Sequence, residues 1–596
     1  MAPWAEALLV VAVYVVATVV IFQPLLSDPV GSMPDPRALF EGRPADAAFK
    51  DGFLLAWLYA WGWHALGTAP ASLYDANAFH PYANSLGLSE HSIGKVLTAG
   101  PVYGLTGNPV LAYEVDLVLS FALSGAALYA YLRHAGVGSF AALITGAVYA
   151  FCPARLGIYF HTHLLGWMYL PLALLLLDRT LTKGTVGSAL GVFGFVLVQC
   201  LCSYYLAFMT LIGVGLYGAV FALVARREVR ARGFWLAVGA GVAACAALSL
   251  ISQPYLENRA LGVLPDFARP DRASFPLAHS SDPWRAYLLP VGKAYLGWLP
   301  LAAAILALVG TRVANVERRA ATWAAAAIVG VAWVLSLGPT LPVGGHDVTL
   351  PFRWLAAVVP GFSSMRAPDR FGLLVMFGFS ILVGFGLDRA AVLLGGVERG
   401  RRWWPAVAGV AFLAVVAVEF RIPDRSFPGY PFPTNAAALP LHVALAELPE
   451  GAVAEFPFHG SMGLDAAQAM VRSTANWRPL VNGKSGYEPR GRDLLLGLVG
   501  RIPVDPSAFR TFVRLTGVRY VIVDLDRVGP MQASAWRSNA DVRWVREAEG
   551  LRLGVVDPSL TGDLVDVLRS CSEPAASSVE PAVPASCEEL ARLTAG

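Results

Sequence analysis

Long apolar stretches constrain this chain more than any other feature of the sequence. About eleven of them occur before residue 420, most of them close to the roughly 20 residues that a helix needs to cross a membrane. With 56% hydrophobic and only 15% charged residues, the composition argues against a soluble globular protein. The predicted membrane helices are 5–25, 110–132, 137–153, 164–178, 186–201, 204–225, 234–252, 296–310, 321–338, 371–387 and 404–420.

Basic residues fall in alternate short loops and predict the orientation of the helices. Arginine and lysine in short loops favour the cytoplasmic side of a membrane. The N-terminus is therefore expected inside the cell, with the long loops 26–110, 253–295 and 339–370 outside. The basic loop residues are Arg133, Arg179, Lys183, Arg226, Arg227, Arg230, Arg232, Arg312, Arg318, Arg319, Arg399, Arg401 and Arg402.

The composition changes after residue 420 and predicts a separate α/β domain outside the membrane. The predicted organisation is a transmembrane domain (1–420) with a long first outer loop (27–110), a Pro-rich linker (421–433), an extracytoplasmic α/β domain (434–570) and a flexible tail (571–596). Alternating apolar residues predict strands, and helical periodicity predicts helices. The predicted strands are Val453–Pro457, Tyr520–Asp524 and Leu551–Val556, and the predicted helices are 435–448, 464–474 and 506–516.

Cysteines and charge add two expectations about the surroundings of the chain. Cys571 and Cys587 could pair if the C-terminal tail lies in an oxidising compartment. The net charge of +3, with no basic run interleaved with aromatics, gives no reason to expect a nucleic-acid partner.

The first outer loop carries an acidic residue, Asp51, directly before an aromatic segment. In that segment, 52–66, tryptophans and tyrosines recur at helical spacing, which predicts a helix lying on the membrane surface. A carboxylate there can act as a general base toward an acceptor hydroxyl, or bind a divalent metal. The alternative is a charge that favours the start of a helix.

A second polar concentration follows in the same loop, at Glu90 and His91. It comes after His80, and the Pro, Asn and Gly residues between them indicate an ordered loop. Glu90 is therefore a second candidate catalytic carboxylate. His80 and His91 are candidates for contacts with the substrate.

The second outer loop contains His161 and His163 after Arg155. On an extended segment both imidazoles could point the same way and form half of a site for a divalent metal such as Mg or Mn. Asp51 or Glu90 would then supply the third ligand. The alternative is a pair of interfacial histidines with polar tips among the lipid headgroups. Arg155 is a further candidate for substrate binding.

Two arginines, Arg366 and Arg370, stand before the tenth predicted helix on its outer side. Positive charge is not favoured there by orientation, and guanidinium groups fit phosphate with two parallel hydrogen bonds. These residues are predicted to bind the phosphate of a lipid-linked substrate. The alternative is a salt bridge to Asp369 or a lipid headgroup contact. Asn482-Gly-Lys484-Ser485 ends like a phosphate-binding P-loop, but Arg478 occupies the position of its first glycine.

This arrangement resembles the GT-C superfamily of membrane glycosyltransferases, in particular its YfhO-like and O-mannosyltransferase-like bacterial members. The resemblance rests on the first outer loop with Asp51, the polar second outer loop, and the segments Met365–Phe371, Val481–Tyr487 and Gly517–Asp524. It implies an α-helical polytopic membrane fold of about eleven helices, with its N-terminus inside, and a C-terminal extracytoplasmic α/β domain.

The resemblance also implies an activity: transfer of a sugar from a polyprenyl-phosphate donor to a lipid, glycan or protein acceptor at the outer face of a bacterial plasma membrane. By the same resemblance the transfer is an inverting hexosyl or pentosyl transfer. Asp51 would be the base or the metal-positioning carboxylate, His161 and His163 the metal ligands, and Arg366 and Arg370 the donor-phosphate ligands.

Two other functions stay open. A transporter or flippase for lipid-linked glycans would carry charges deep in several membrane helices, whereas the charges here gather at the outer face. A carbohydrate-binding assembly scaffold would explain why the first loop has no Asp-Glu or Asp-Asp pair and the second no Asp-x-Asp.

Overall fold

The protein divides into two compact units, each built from segments that are distant in sequence. The structure, a computed structural model, describes residues 2–39, 46–260, 285–290, 294–343, 346–397, 404–420, 427–432, 438–458, 463–548, 550–571 and 585–595. The first unit, here called the helical unit, comprises Met1–Gln23, Asp116–Ile251 and Asp266–Ser426. The second, called the mixed unit, comprises Pro24–Val115, Ser252–Pro265 and Phe427–Gly596.

Apolar helices make up the helical unit. Within the described residues, eight helices are long and apolar enough to cross a membrane, and three shorter apolar helices accompany them. This confirms the prediction of an α-helical polytopic membrane protein, whereas the number of membrane crossings and the inside position of the N-terminus stay predictions. The helices are Pro3–Ile21, Pro109–His134 (which starts in the mixed unit), Ser139–Ala150, Pro153–Leu156, Tyr169–Lys183, Val186–Cys202, Tyr204–Val224, Ala231–Ile251, Arg285–Leu288, Trp298–Val309, Val316–Ser336, Pro351–Val358, Gly372–Val397 and Trp404–Glu419.

Small residues allow these helices to approach closely. A Cβ atom added to Gly386 would lie 1.8 Å from the carbonyl oxygen of Ala303, so helix Gly372–Val397 can meet helix Trp298–Val309 here only with glycine at that position. Between the helices, strands Thr340–Val343 and His346–Thr349 form an antiparallel hairpin that precedes helix Pro351–Val358.

A four-stranded sheet organises the C-terminal part of the mixed unit. Its strand order is Ala452–Phe456, Val518–Asp524, Leu551–Val556 and Val542–Ala548, with the first two strands parallel and the others antiparallel. All three predicted strands are confirmed, and Val542–Ala548 is an additional strand. The helices of the mixed unit are Asp46–Thr68, Val96–Thr106, Gln253–Ala260, Ala438–Leu445, Leu464–Ser473, Arg492–Val499, Pro506–Thr516, Pro530–Arg537, Val565–Cys571 and Ala585–Ala595, and a short helix, Gln23–Leu26, bridges the unit boundary.

Phe427–Gly596 is here called the C-terminal segment. Its predicted helices are confirmed by helices Ala438–Leu445, Leu464–Ser473 and Pro506–Thr516. The start of the third has a clear local cause. The carboxylate of Asp505 accepts hydrogen bonds from the backbone N–H groups of Ser507 and Ala508, and Pro506 occupies the first helical position, where no N–H is needed.

The predicted first outer loop belongs to the mixed unit and shares its core. Helix Asp46–Thr68 is buried on all sides from residue 52 to residue 62. It contributes Phe53 and Trp57 to the same hydrophobic cluster as Val521 of the central sheet. The prediction of a helix in 52–66 is confirmed, but its predicted place on the membrane surface is wrong: apolar residues around the whole circumference fit a core helix.

A short strand pair joins distant parts of the mixed unit. Strand Ser32–Pro34 pairs antiparallel with Gly429–Pro431, which lies inside the predicted linker 421–433. Residues 421–426 and 433 of that linker lie outside the described residues. The predicted linear domain order, 1–420 followed by 434–570, stays a prediction, while the contacts group the first outer loop with the C-terminal segment.

The end of the chain contains a cross-linked helix. Cys571 and Cys587 form a disulfide bond, so the pairing considered from the sequence is present. Helix Ala585–Ala595 buries Leu590 completely, and the Thr594 carbonyl accepts a hydrogen bond from Arg501. The flexible tail predicted for 571–596 stays a prediction: the structure describes a helix over 585–595, while 572–584 lie outside the described residues.

Candidate functional site

The candidate residues fall into two groups that belong to different units. Asp51, His80, Glu90 and His91 are part of the mixed unit. Arg155, His161, His163, Arg366 and Arg370 are part of the helical unit.

Asp51 is the accessible residue on an otherwise buried part of its helix. It lies near the start of helix Asp46–Thr68, and its side chain is 29% exposed, whereas residues 52–62 are buried. Its Oδ1 atom lies 3.4 Å from Nζ of Lys484, a residue that is only 5% exposed. An ionised carboxylate that is held by a buried ammonium and still open to solvent can accept a proton.

Lys484 stands on a segment that runs between the sheet and the first outer loop. The Val481 N–H donates to the Val453 carbonyl (2.8 Å), and the Phe79 N–H donates to the Asn482 carbonyl (3.1 Å). Lys484 is therefore fixed from both sides. The sequence does not mark Lys484 as a site residue, because its contact with Asp51 joins segments that are far apart in the chain.

Glu90 and His91 lie beside the short helix Gln253–Ala260. The hydroxyl of Tyr255 donates to the carbonyl of Ser89 at 2.5 Å, and its ring lies edge-on to His91 at 6.1 Å. Glu90 is half-buried, whereas His91 is 2% exposed. Burial lowers the pKa of His91 to about 3, so this imidazole is neutral at pH 7.

His80 is half-buried, and its backbone N–H donates to the Leu480 carbonyl at 2.9 Å. Burial, aided by the charge of Arg569, lowers the pKa of His80 to about 4. His80 is thus also neutral at pH 7. A neutral imidazole can donate or accept a hydrogen bond but carries no charge for a phosphate. The substrate-binding roles of His80 and His91 stay predictions.

Arg155 is a buried side chain, 1% exposed, that binds helices Pro109–His134 and Ser139–Ala150. Its guanidinium donates to the carbonyls of Ala150 (3.1 Å) and Ser120 (3.0 Å), and to the hydroxyl of Ser124 (3.0 Å). The ring of Tyr149 packs against it at 5.4 Å. This geometry gives Arg155 a supporting position, and its predicted contact with substrate stays a prediction.

His161 and His163 lie close together but not on an extended segment. A 3₁₀ turn, Thr162–Leu165, replaces the expected alternation, so that part of the prediction is wrong. The two rings are 5.6 Å apart and nearly perpendicular, as packed aromatic rings often are. Among the residues that the structure describes, no group of three or more His, Cys, Asp or Glu side chains is placed to hold a metal. The roles of His161 and His163 as ligands of a divalent metal stay predictions.

Arg366 and Arg370 frame a short segment that precedes helix Gly372–Val397. Arg366 is exposed, whereas Arg370 is half-buried with its guanidinium 4.2 Å from the ring centre of Tyr205. Phe362 anchors the segment by packing against Phe371 at 6.2 Å. An arginine stacked on an aromatic face keeps its N–H edge available and is oriented by the ring.

A cluster of aromatic rings around Trp477 was not predicted from the sequence. Trp477 stacks on His64 at 4.5 Å and contacts Trp61 at 5.6 Å. Its backbone φ of +55° is unusual for so bulky a side chain. These residues come from opposite ends of the chain, so no local pattern could predict their contact.

Comparison with solved structures identifies the fold. The arabinofuranosyltransferase AftD from Mycobacteria is 15% identical over 92% of this chain and 40% of that chain, with a TM-score of 0.50. ArnT from Cupriavidus metallidurans is 14% identical over 93% of this chain and 98% of that chain, with a TM-score of 0.44. The oligosaccharyltransferase AglB from Archaeoglobus fulgidus, solved with an inhibitory peptide and a dolichol-phosphate, is 11% identical over 87% of this chain and 69% of that chain, with a TM-score of 0.46.

The chain therefore has a fold similar to that of AftD, as the resemblance to membrane glycosyltransferases implied. The chain spans about 40% of the length of AftD. No protein-family model matches the sequence, and no curated protein matches it. The YfhO-like or O-mannosyltransferase-like subtype stays a prediction.

Proposed function

We propose that this protein is a glycosyltransferase that moves a sugar from a polyprenyl-phosphate donor to a lipid, glycan or protein acceptor at the outer face of a bacterial plasma membrane. The observation that carries the proposal is Asp51: a solvent-accessible carboxylate at the start of a buried helix, paired with Lys484, in the first outer loop of a GT-C-like fold.

The chemistry assigned to Asp51 is general base catalysis. The acceptor hydroxyl oxygen attacks the anomeric carbon of the donor sugar and forms the new glycosidic bond, while the hydroxyl proton passes to the Asp51 carboxylate. The bond between the anomeric carbon and the phosphate oxygen breaks, and polyprenyl phosphate leaves with the electron pair. A single displacement of this kind inverts the configuration of a hexosyl or pentosyl group. Glu90 is the second candidate for the same role.

The leaving phosphate needs positive charge, which Arg366 and Arg370 are proposed to supply. Negative charge develops on the phosphate as the sugar takes on oxocarbenium character. Guanidinium groups that are already in position to bind this charge therefore lower the activation barrier. Support comes from the stacking of Arg370 on Tyr205, which orients the guanidinium before a ligand arrives.

The proposed location is supported by the disulfide. Structural disulfides persist in oxidising compartments, so the Cys571–Cys587 bond favours an extracytoplasmic position for the C-terminal segment. A lipid-linked donor also fits the eight helices that are long and apolar enough to cross a membrane in the described residues.

The test uses the full-length protein in proteoliposomes with radiolabelled sugars on a panel of polyprenyl phosphates. The proposal predicts that label leaves the lipid phosphate and appears in an acceptor, only in vesicles that contain the protein. A transporter would move the labelled lipid across the bilayer with its sugar–phosphate bond intact. A scaffold would bind glycans and leave the label on the lipid. Either result would overturn the proposed function.

A further inference from the structure

Lys484 is a charged side chain in an almost closed environment. It is 5% exposed, and its ammonium donates a hydrogen bond to the carbonyl of Ser485 at 3.0 Å. Its ion-pair partner is Asp51, at 3.4 Å. Taking an ammonium out of water is costly unless a negative group compensates it. The Asp51 carboxylate provides that compensation.

The backbone around Lys484 leaves the ammonium little freedom to move. The side chain of Asn482 binds both backbone polar groups of Glu455. Its oxygen accepts from the Glu455 N–H (2.8 Å), and its nitrogen donates to the Glu455 carbonyl (2.9 Å). The Lys484 N–H points at the sulfur of Met470 (3.0 Å). On the other side, the Leu480 N–H donates to the Asn77 carbonyl (2.6 Å) in the first outer loop.

Arg492 also binds the segment that carries Lys484. Its guanidinium, which is fully buried, donates to the Val481 carbonyl at 3.0 Å. The rings of Phe79 and Phe458 pack against it at 5.3 and 4.9 Å. The segment that carries Lys484 is thus attached to the sheet, to a buried arginine and to the first outer loop.

A general base acts only while it is ionised and aimed at the proton that it accepts. A fixed positive charge within about 4 to 6 Å favours the ionised form of a carboxylate. It also limits the rotation of that carboxylate by holding one of its oxygens. We propose that Lys484 is a positioning residue that keeps Asp51 ionised and oriented, so that the C-terminal segment completes the acceptor-activating site. This inference rests on the proposed function of Asp51.

The ion pair joins two parts of the mixed unit that are far apart in sequence. The first outer loop supplies the carboxylate, and the segment Val481–Tyr487 supplies its counter-charge. The carboxylate of Asp51 and the ammonium of Lys484 therefore come together only when these two segments pack against each other. The prediction that follows is a change in the pH dependence of transfer, which a purely structural lysine would not cause.

The experiment compares the pH–rate profiles of wild type, Lys484→Met and Lys484→Arg in the same proteoliposomes. Lys484→Met keeps the length of the side chain but removes the charge. We expect its maximal rate to fall about tenfold and its acid limb to move to higher pH, with KM for the donor unchanged. Lys484→Arg retains the charge and should keep the acid limb of wild type. Lys183→Met, at an exposed lysine of the helical unit, is the matched control and should behave as wild type.

Thermal unfolding of Lys484→Met, Asp51→Asn and the double variant supplies a readout that needs no substrate. If the two side chains interact, the double variant loses less thermal stability than the sum of the single losses. Additive losses would overturn the proposed pair. An active Lys484→Met with the pH profile of wild type would overturn the inference alone. Absence of transfer by wild type would overturn the proposed function and this inference with it.

Discussion

The carboxylate of Glu455 and the guanidinium of Arg472 form an ion pair in the mixed unit, with Nη2 of Arg472 2.5 Å from Oε2 of Glu455. His442 approaches the other carboxylate oxygen at 2.8 Å. Glu455 is 5% exposed and lies on the first strand of the sheet, where its backbone N–H donates to the side-chain oxygen of Asn482. A buried charge network therefore supports the segment that carries Lys484.

The first prediction concerns the stability of the mixed unit in acid. Burial raises the pKa of Glu455, but the charges of Arg472 and His442 outweigh it and lower the pKa from 4.5 to about 2. A carboxyl whose pKa is depressed on folding contributes stability that is fully present above its unfolded pKa and lost as the pH falls toward the folded value. The stability gap between wild type and Glu455→Gln should therefore be largest above about pH 4.5 and shrink toward pH 2. Melting curves between pH 3 and 7 measure this gap, and a gap independent of pH would contradict the assignment.

The second prediction compares two arginine pairs of the same unit. Arg472→Met leaves Glu455 buried without its main counter-charge, which should cost about 3 kcal/mol of unfolding free energy. Arg514→Met removes a pair with Asp563 in which both side chains are more than 40% exposed, and it should cost less than about 1 kcal/mol. Denaturant titration of both variants measures the two losses of unfolding free energy. Equal losses would show that burial does not determine how much the Glu455–Arg472 pair contributes to stability.

The third prediction concerns the disulfide. Cys571 and Cys587 are separated by 16 residues, and closing a loop of this size stabilises a domain by about 3 kcal/mol. Cys587→Ser should therefore lower the melting temperature, and a reductant should lower that of wild type but not that of the variant. Cys245→Ser, at an exposed free cysteine, is the control. Alkylation of Cys571 in protein purified without reductant would contradict both the bond and the proposed extracytoplasmic location.

The fourth prediction concerns donor binding and rests on the proposed function. Arg370→Ala should raise KM for the polyprenyl-phosphate donor by at least about tenfold, because a charge-assisted contact to phosphate is worth about 1.5 to 3 kcal/mol. Tyr205→Leu removes only the ring beneath Arg370 and should raise KM about threefold. Arg353→Ala, at an exposed residue of helix Pro351–Val358, is the control. Unchanged donor KM in Arg370→Ala would remove this residue from the phosphate site.

Local patterns in the sequence were enough to predict most of the secondary structure. Alternating apolar residues predicted Leu551–Val556 with its observed bounds, and Asp505-Pro506 predicted the start of a helix because both residues act on the first turn alone. Apolar length likewise predicted the membrane helices. Each of these signals is contained within the element that it describes.

Contacts between distant segments could not be predicted in this way. The aromatic spacing of 52–66 predicted the helix but not its burial, because burial depends on the C-terminal segment that packs around it. The pairing of Asp51 with Lys484 has no local signature either. For the same reason the buried triad of Glu455, Arg472 and His442 left no recognisable pattern in the sequence.

The most direct test of the account is the rate of sugar transfer by Asp51→Asn at matched protein level. Asparagine keeps the shape of the side chain but cannot accept the acceptor proton, so we expect the rate to fall at least about 100-fold, within the range that general base catalysis contributes. Asp526→Asn, at an exposed carboxylate of the mixed unit, should retain the wild-type rate. Transfer by Asp51→Asn at the wild-type rate would contradict the account and direct attention to Glu90.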